Sequence, residues 1–147
     1  MIKPRSTDRL PVYAARQASA LLANLVKQIG RVRAAGDPDS IHDLRVAVRR
    51  LAQCLDVFES LFPPGAARRV RKRVTRLRRA AGLPRDCDIA LEYLALNPLP
   101  DQEAFAAELK QTRKRAQAAL RKLLDRVDQK RAWEKWRRRL GLAETAP

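Results

Sequence analysis

The residues best placed to do chemistry are a histidine and two arginines within Ile41-His42-Asp43-Leu44-Arg45-Val46-Ala47-Val48-Arg49-Arg50-Leu51. Apolar Ile41, Leu44, Val48, Leu51, Leu55, Phe58 and Phe62 recur at steps of three and four, which predicts a helix with one face in a core. At about 100° per residue, His42, Arg45, Arg49, Gln53 and Asp56 then share one column beside that face, and His42 to Arg49 spans about 10 Å. A column of N–H donors suits an extended anion. Two arginines alone would read as a solvated flank, but the only histidine of the chain stands among them, and it can both donate and accept.

A second cluster follows. Between Arg68 and Arg85 lie nine basic residues, Arg68, Arg69, Arg71, Lys72, Arg73, Arg76, Arg78, Arg79 and Arg85, and no acid. Their apolar companions Val70, Val74, Leu77 and Ala81 predict a third helix on a narrow stripe, on which like charges three and four apart repel. Some of these cations flank the core and can face the His42 column, while others, Arg79 among them, point to solvent. Arg113, Lys114 and Arg115 add charge further on, diluted by Glu103 and Glu108.

Catalytic chemistry finds less support. Phosphoryl transfer generally needs Mg²⁺ on carboxylates, or a glycine-rich cradle with its lysine. Asp43 points away from the His42 column, Asp56 stands alone on it, and Asp86 and Asp88 read as caps at a helix start. Cys54 and Cys87 have no metal or redox spacing and read as reduced thiols. The expectation is binding without turnover, with no metal and no cofactor.

The whole chain agrees on the sign of the partner. Its 147 residues carry 32 Lys and Arg against 16 Asp and Glu, a formal charge of +16, which resists compaction unless a polyanion meets it. Arginine outnumbers lysine 24 to 8, which favours phosphate or carboxylate oxygens, because guanidinium presents a planar fork of donors. There is no run of eighteen apolar residues and no signal-peptide stretch between Met1 and Pro11, so a soluble, cytoplasmic protein without membrane contact is expected.

These residues must be positioned by helices. After Asp8 and Pro11, Ala14, Ala18, Leu21, Leu25, Ile29 and Val32 predict a first helix, ended by Gly36, and Asp39 or Ser40 is expected to cap the second. Pro63, Pro64 and Gly65 separate it from the third, for which Gly82 serves as C-cap and Pro84 as stop. A short helix then starts at Asp86 or Asp88 and ends by Pro98. A last one runs from Asp101 through Phe105, Leu109, Ala116, Leu120, Leu123, Leu124 and Val127, with a bend near Asp125 to Asp128. The expected fold is all-α, a compact antiparallel bundle of about four long helices plus one short, forming a single domain over 1–147 with a frayed tail from 141. Trp133 and Trp136, three apart on one face, suit either a contact with a second copy or closure of the chain's own core.

The His42 stretch resembles the hallmark helix of the CHAD family, the conserved-histidine α-helical domains, and Gly82-Leu83-Pro84-Arg85-Asp86-Cys87-Asp88-Ile89 is similar to that family's Arg-Asp turn. Their order, with a basic helix between, also matches, and the resemblance covers roughly residues 10 to 140. It implies a helical bundle whose basic groove binds inorganic polyphosphate, in several members on polyphosphate granules. It implies groove roles for His42, Arg45, Arg49 and Arg85, for Arg69, Lys72, Arg73 and Arg76 of the third helix, and for Arg113 and Arg115. Members usually carry two related helical halves in one chain. This sequence matches the first, which implies a homodimer or a partner supplying the second.

Two other readings stay open. Phosphate-backbone contacts would give weak, non-specific nucleic-acid binding, although Trp133, Trp136, Tyr13 and Tyr93 lie outside the arginine-rich segment that base stacking would use. A histidine phosphorelay module would use His42 with Arg45, but has glycine where Val46 stands.

Overall fold

The computed structural model describes residues 6–142, with side chains over 9–142. Six α-helices follow one another through short joins: α1 (Ser6–Ala34), α2 (Pro38–Val57), α3 (Ala66–Ala80), α4 (Gly82–Leu96), α5 (Gln102–Gln129) and α6 (Ala132–Arg139). One 3-10 turn, Glu59–Leu61, links α2 to α3, and no strand occurs among the described residues. α1 packs on α2, α2 on α3, α3 on α5 and α5 back on α1, so four long helices close a ring. α4 lies along α5 and also meets α2 and α3, while α6 touches α1, α3 and α5. The all-α antiparallel bundle expected from the spacing is the fold.

The helical stripes meet inside it. Leu22, Leu25, Ile41, Leu44, Val48, Leu51, Leu55, Val70, Val74, Leu77, Leu120 and Leu124 are all fully buried, and each contributes about 1.5–3 kcal/mol by leaving water. On α1 the stripe passes through Leu22, leaving Leu21 only partly buried. Trp136 is buried in this same core with Leu140 and Leu142, and Trp133 packs on its edge, so the tryptophans close the chain's own core. The Arg33 guanidinium ties α1 to α5 through Asp125 and Asp128, each at 2.8 Å, and the hydrogen bond to Asp125 raises its already high pKa.

Several boundaries differ from the sequence expectation. α1 starts at Ser6 and contains Pro11 in its second turn, where the missing N–H removes one hydrogen bond of the ladder. Asp37, not Asp39 or Ser40, is the N-cap of α2, accepting from the Ser40 amide, with Pro38 in the first turn. Hydrogen bonds from Ser40 hold the Asp37 carboxyl below its ordinary pKa of 3.8. α2 ends at Val57, so Phe62 enters the core from the turn that follows.

Gly82 is no C-cap. Ala81 alone separates α3 from α4, and Gly82, Leu83 and Pro84 form the first turn of α4, where a proline needs no N–H. The short helix therefore begins before Asp86 and Asp88, and neither acid caps it. α5 runs unbroken past Asp125 and Asp128, and the chain turns instead at Arg131, whose φ is +47°. Leu142 is buried, and its amide donates to the Arg137 carbonyl at 3.0 Å; the rest of the expected frayed tail, 143–147, lies outside the described residues.

Candidate functional site

α2 and α3 run past each other so that the column of α2 faces one flank of α3. Two contacts fix the register. Asp56, at the far end of the column, forms an ion pair with Arg71 near the start of α3. Arg45, near the start of α2, donates through Nη1 to the Arg78 carbonyl at 3.3 Å, near the end of α3. That carbonyl belongs to the last turn, where the ladder offers no amide, and a cation suits the negative end of the helix. Between these anchors the two helices form a seam about 10–16 Å long, at about 1.5 Å per residue.

Cations line this seam. A cavity of about 360 Å³ opens along it between Ala52 and Thr75, walled by Arg68, Arg71, Lys72, Arg76 and Arg79. Arg79, expected to point to solvent alone, is part of that wall. His42 and Arg49 stand exposed on the α2 side and Arg45 is half-buried. The acids nearby are engaged, Asp56 with Arg71 and Glu59 with Arg68 at 3.6 Å. Asp43 pairs with Arg31 of α1 at 2.9 Å and so stands away from the column, as its helical phase implies.

Gly82 shapes the end of the seam. A Cβ built there would lie 3.0 Å from Arg45 Nη1, so the absence of a side chain lets the guanidinium lie against the α3–α4 joint. Arg85, one turn further along α4, is on the same side of that helix and half-buried.

The remaining expected site residues scatter. Arg69 and Arg73 are exposed and stand outside the lining of the cavity; Arg73 lies about 160° around α3 from Arg71, while Arg69 is only about 20° from Arg76. Arg115 is exposed on α5, beside a separate cavity with Glu108, Gln111 and Thr112, and α5 does not touch α2.

Arg113 is committed inside the fold. Its guanidinium pairs with both oxygens of Asp88, donates to Gln117 at 2.6 Å and to the Gly36 carbonyl at 2.9 Å. Four of its five N–H groups are used, so a groove role gives way to a structural one. Asp88 is 4% exposed, which makes this an interior ion pair joining α4 to α5 and to the α1–α2 turn. Gly36 accepts that contact at φ +62°, where a Cβ would fall 1.9 Å from the Gln117 side chain. Both features make glycine the residue that fits.

The other titratable groups take no part. Cys54 and Cys87 are free and buried, and desolvation raises both thiol pKa values, reinforced at Cys87 by Asp88 and Asp86. No cluster of three or more His, Cys, Asp or Glu side chains occurs among the described residues, and no described helix is long and apolar enough to cross a membrane.

Comparison with protein families matches residues 16–147 to the CHAD domain. The chain belongs to the CHAD family. The match contains both the His42 helix and the Arg85-Asp86 turn, and it begins later and ends later than the resemblance had suggested. No curated protein and no solved structure matches the chain. Within this CHAD domain, sequence reasoning missed Arg68, Arg71 and Arg79 as members of the seam, and missed Asp88 as the partner of Arg113. The helical phase of Asp88 was the available signal. In a helix that starts at Gly82 it shares the inner face with Pro84 and Cys87, which are also buried.

Proposed function

We propose that this CHAD domain binds inorganic polyphosphate along the α2–α3 seam without turning it over. The observation that carries the reading is the cation-walled cavity between the two register contacts, with its neighbouring acids already paired. An extended polyanion laid there meets Arg49, Lys72, Arg76 and Arg79, the remaining donors of Arg45, and His42 and Arg85 toward one end. Each guanidinium can fork onto two non-bridging oxygens of a phosphate unit, which a point-like ammonium cannot. Asp56 is the carboxylate on the α2 column, and Arg71 engages it in an ion pair. Retention of the polymer, in the cytoplasm or at polyphosphate granules, follows from binding of this kind.

The test is a competition titration of the purified protein with long-chain polyphosphate, duplex DNA and single-stranded RNA at matched phosphate concentration and fixed salt. Polyphosphate is expected to displace both nucleic acids. Preference for either nucleic acid overturns the reading, because affinity would then follow bases or duplex shape.

A further inference from the structure

Away from the seam, α4 and the start of α5 carry a surface of a different kind. On α4, Ile89 (47% exposed), Tyr93 (61%) and Leu96 (81%) form a ridge at steps of four and three that points out of the bundle. Pro84, Cys87, Asp88 and Leu94 occupy the inner side of the helix. Asp86 and Glu92 flank the ridge on either side. Leu99 and Phe105, both more than half exposed, extend it across a groove of about 400 Å³. Residues 82–109 hold one cation against six acids, in a chain whose net charge is +16. An apolar face of this size, rimmed by one sign of charge, marks a contact surface.

The same chain carries a complement. Near the N-terminal end of α1, Val12 and Tyr13 are each 52% exposed, and Arg9, Val12, Tyr13 and Arg16 share an outward arc opposite the buried Ala14, Ala18 and Leu22. Arg9 and Arg16 have no ion pair among the described residues, nor do Asp86 and Glu92 on the other surface. α1 and α4 make no contact within the chain, so the two faces can meet only between copies.

We infer that two copies of this chain associate by seating the Arg9–Arg16 face of α1 of one in the acid-rimmed α4–α5 groove of the other. An apolar helix face lies in an apolar groove, with arginines reaching the flanking carboxylates. Each copy has both halves of the contact, and in the proposed dimer both form at once, reciprocally, about a two-fold axis. The inference is independent of polyphosphate binding and is tested on ligand-free protein.

The experiment is light scattering across protein concentration, with circular dichroism confirming unchanged helix content in every variant. The wild-type mass should rise to twice the 16.7 kDa chain mass. The variants Arg9→Glu/Arg16→Glu and Asp86→Lys/Glu92→Lys should each stay monomeric alone. Mixed in equal amounts they should recover the doubled mass, because both contacts of the mixed pair then join opposite charges. A wild type that remains at 16.7 kDa throughout overturns the inference. So does a dimer that survives either substitution pair, or a mixture that fails to associate.

Discussion

The α2–α3 pair and the α4–α5 pair belong to one bundle yet treat charge in opposite ways. Residues 38–80 hold eleven cations against four acids, and most of those cations stand exposed without a partner. Residues 82–109 hold one cation against six acids, and here Asp88 is buried and answered by Arg113. The contrast separates two uses of arginine. On α3 all the guanidinium groups but those of Arg68 and Arg71 are free of ion pairs within the chain, whereas on α5 Arg113 spends its donors on the chain itself. Net charge alone would have treated them as equivalent.

That contrast can be broken most severely at the interior pair. Asp88→Ala leaves a guanidinium buried against Gly36 and Gln117 without its anion, and should cost about 3–5 kcal/mol in urea unfolding. The double variant Asp88→Ala/Arg113→Met should recover much of that loss. A cost near zero for Asp88→Ala would place Arg113 with the surface cations instead.

The next largest effect separates the cations of the seam from exposed cations outside it. Lys72→Ala/Arg76→Ala should weaken polyphosphate binding by about 1.5–3 kcal/mol for each charge-assisted contact removed, measured by calorimetry. Arg73→Ala/Arg115→Ala removes the same formal charge from exposed positions outside the seam cavity and should cost less than half as much. Equal losses would mean that only bulk charge matters.

A smaller change sharpens the role of the α3–α4 joint. Gly82→Ala places a methyl group against Arg45 Nη1 and should displace that guanidinium from the Arg78 carbonyl. The loss of stability should stay within the roughly 1 kcal/mol of an ordinary hydrogen bond, with a matching small drop in affinity.

The smallest effect is confined to acid. The folded pKa of Asp37 lies below 3.8, so its cap contributes fully above that value and is lost as pH falls through the folded pKa. Asp37→Asn should therefore remove a stability slope seen only below pH 3.8, in thermal melts across that range.

Most helices were legible because three-and-four spacing survives any tertiary context that buries one face. Val70, Val74, Leu77 and Ala81 needed only a period, and all four are buried. The start of α4 was misread because Gly82 and Pro84 fit a helix end and a helix first turn equally well, and only packing against α2 and α5 decides between them. The error carried over to Asp88, which looked like a cap while the helix was thought to start there. The seam was half legible. A wheel places Arg45 and Arg49 in a column, but which flank of α3 meets that column depends on how the helices rotate about their axes. Hence Arg69 and Arg73 were grouped with Lys72 and Arg76. The Arg113–Asp88 pair spans 25 positions, beyond any local pattern.

The bond from Arg113 to the Gly36 carbonyl closes a loop of 77 residues, while the helix pairs it joins are each made of neighbours in sequence. Helix pairs of that kind can assemble quickly from local contacts, and a long closure waits for them. The turn around Gly36 and the α4–α5 pair should accordingly open as one cooperative unit in native-state hydrogen exchange, with amides in both sharing one opening free energy. Replacing Arg113 would let the two exchange independently, turning a single folding unit into two.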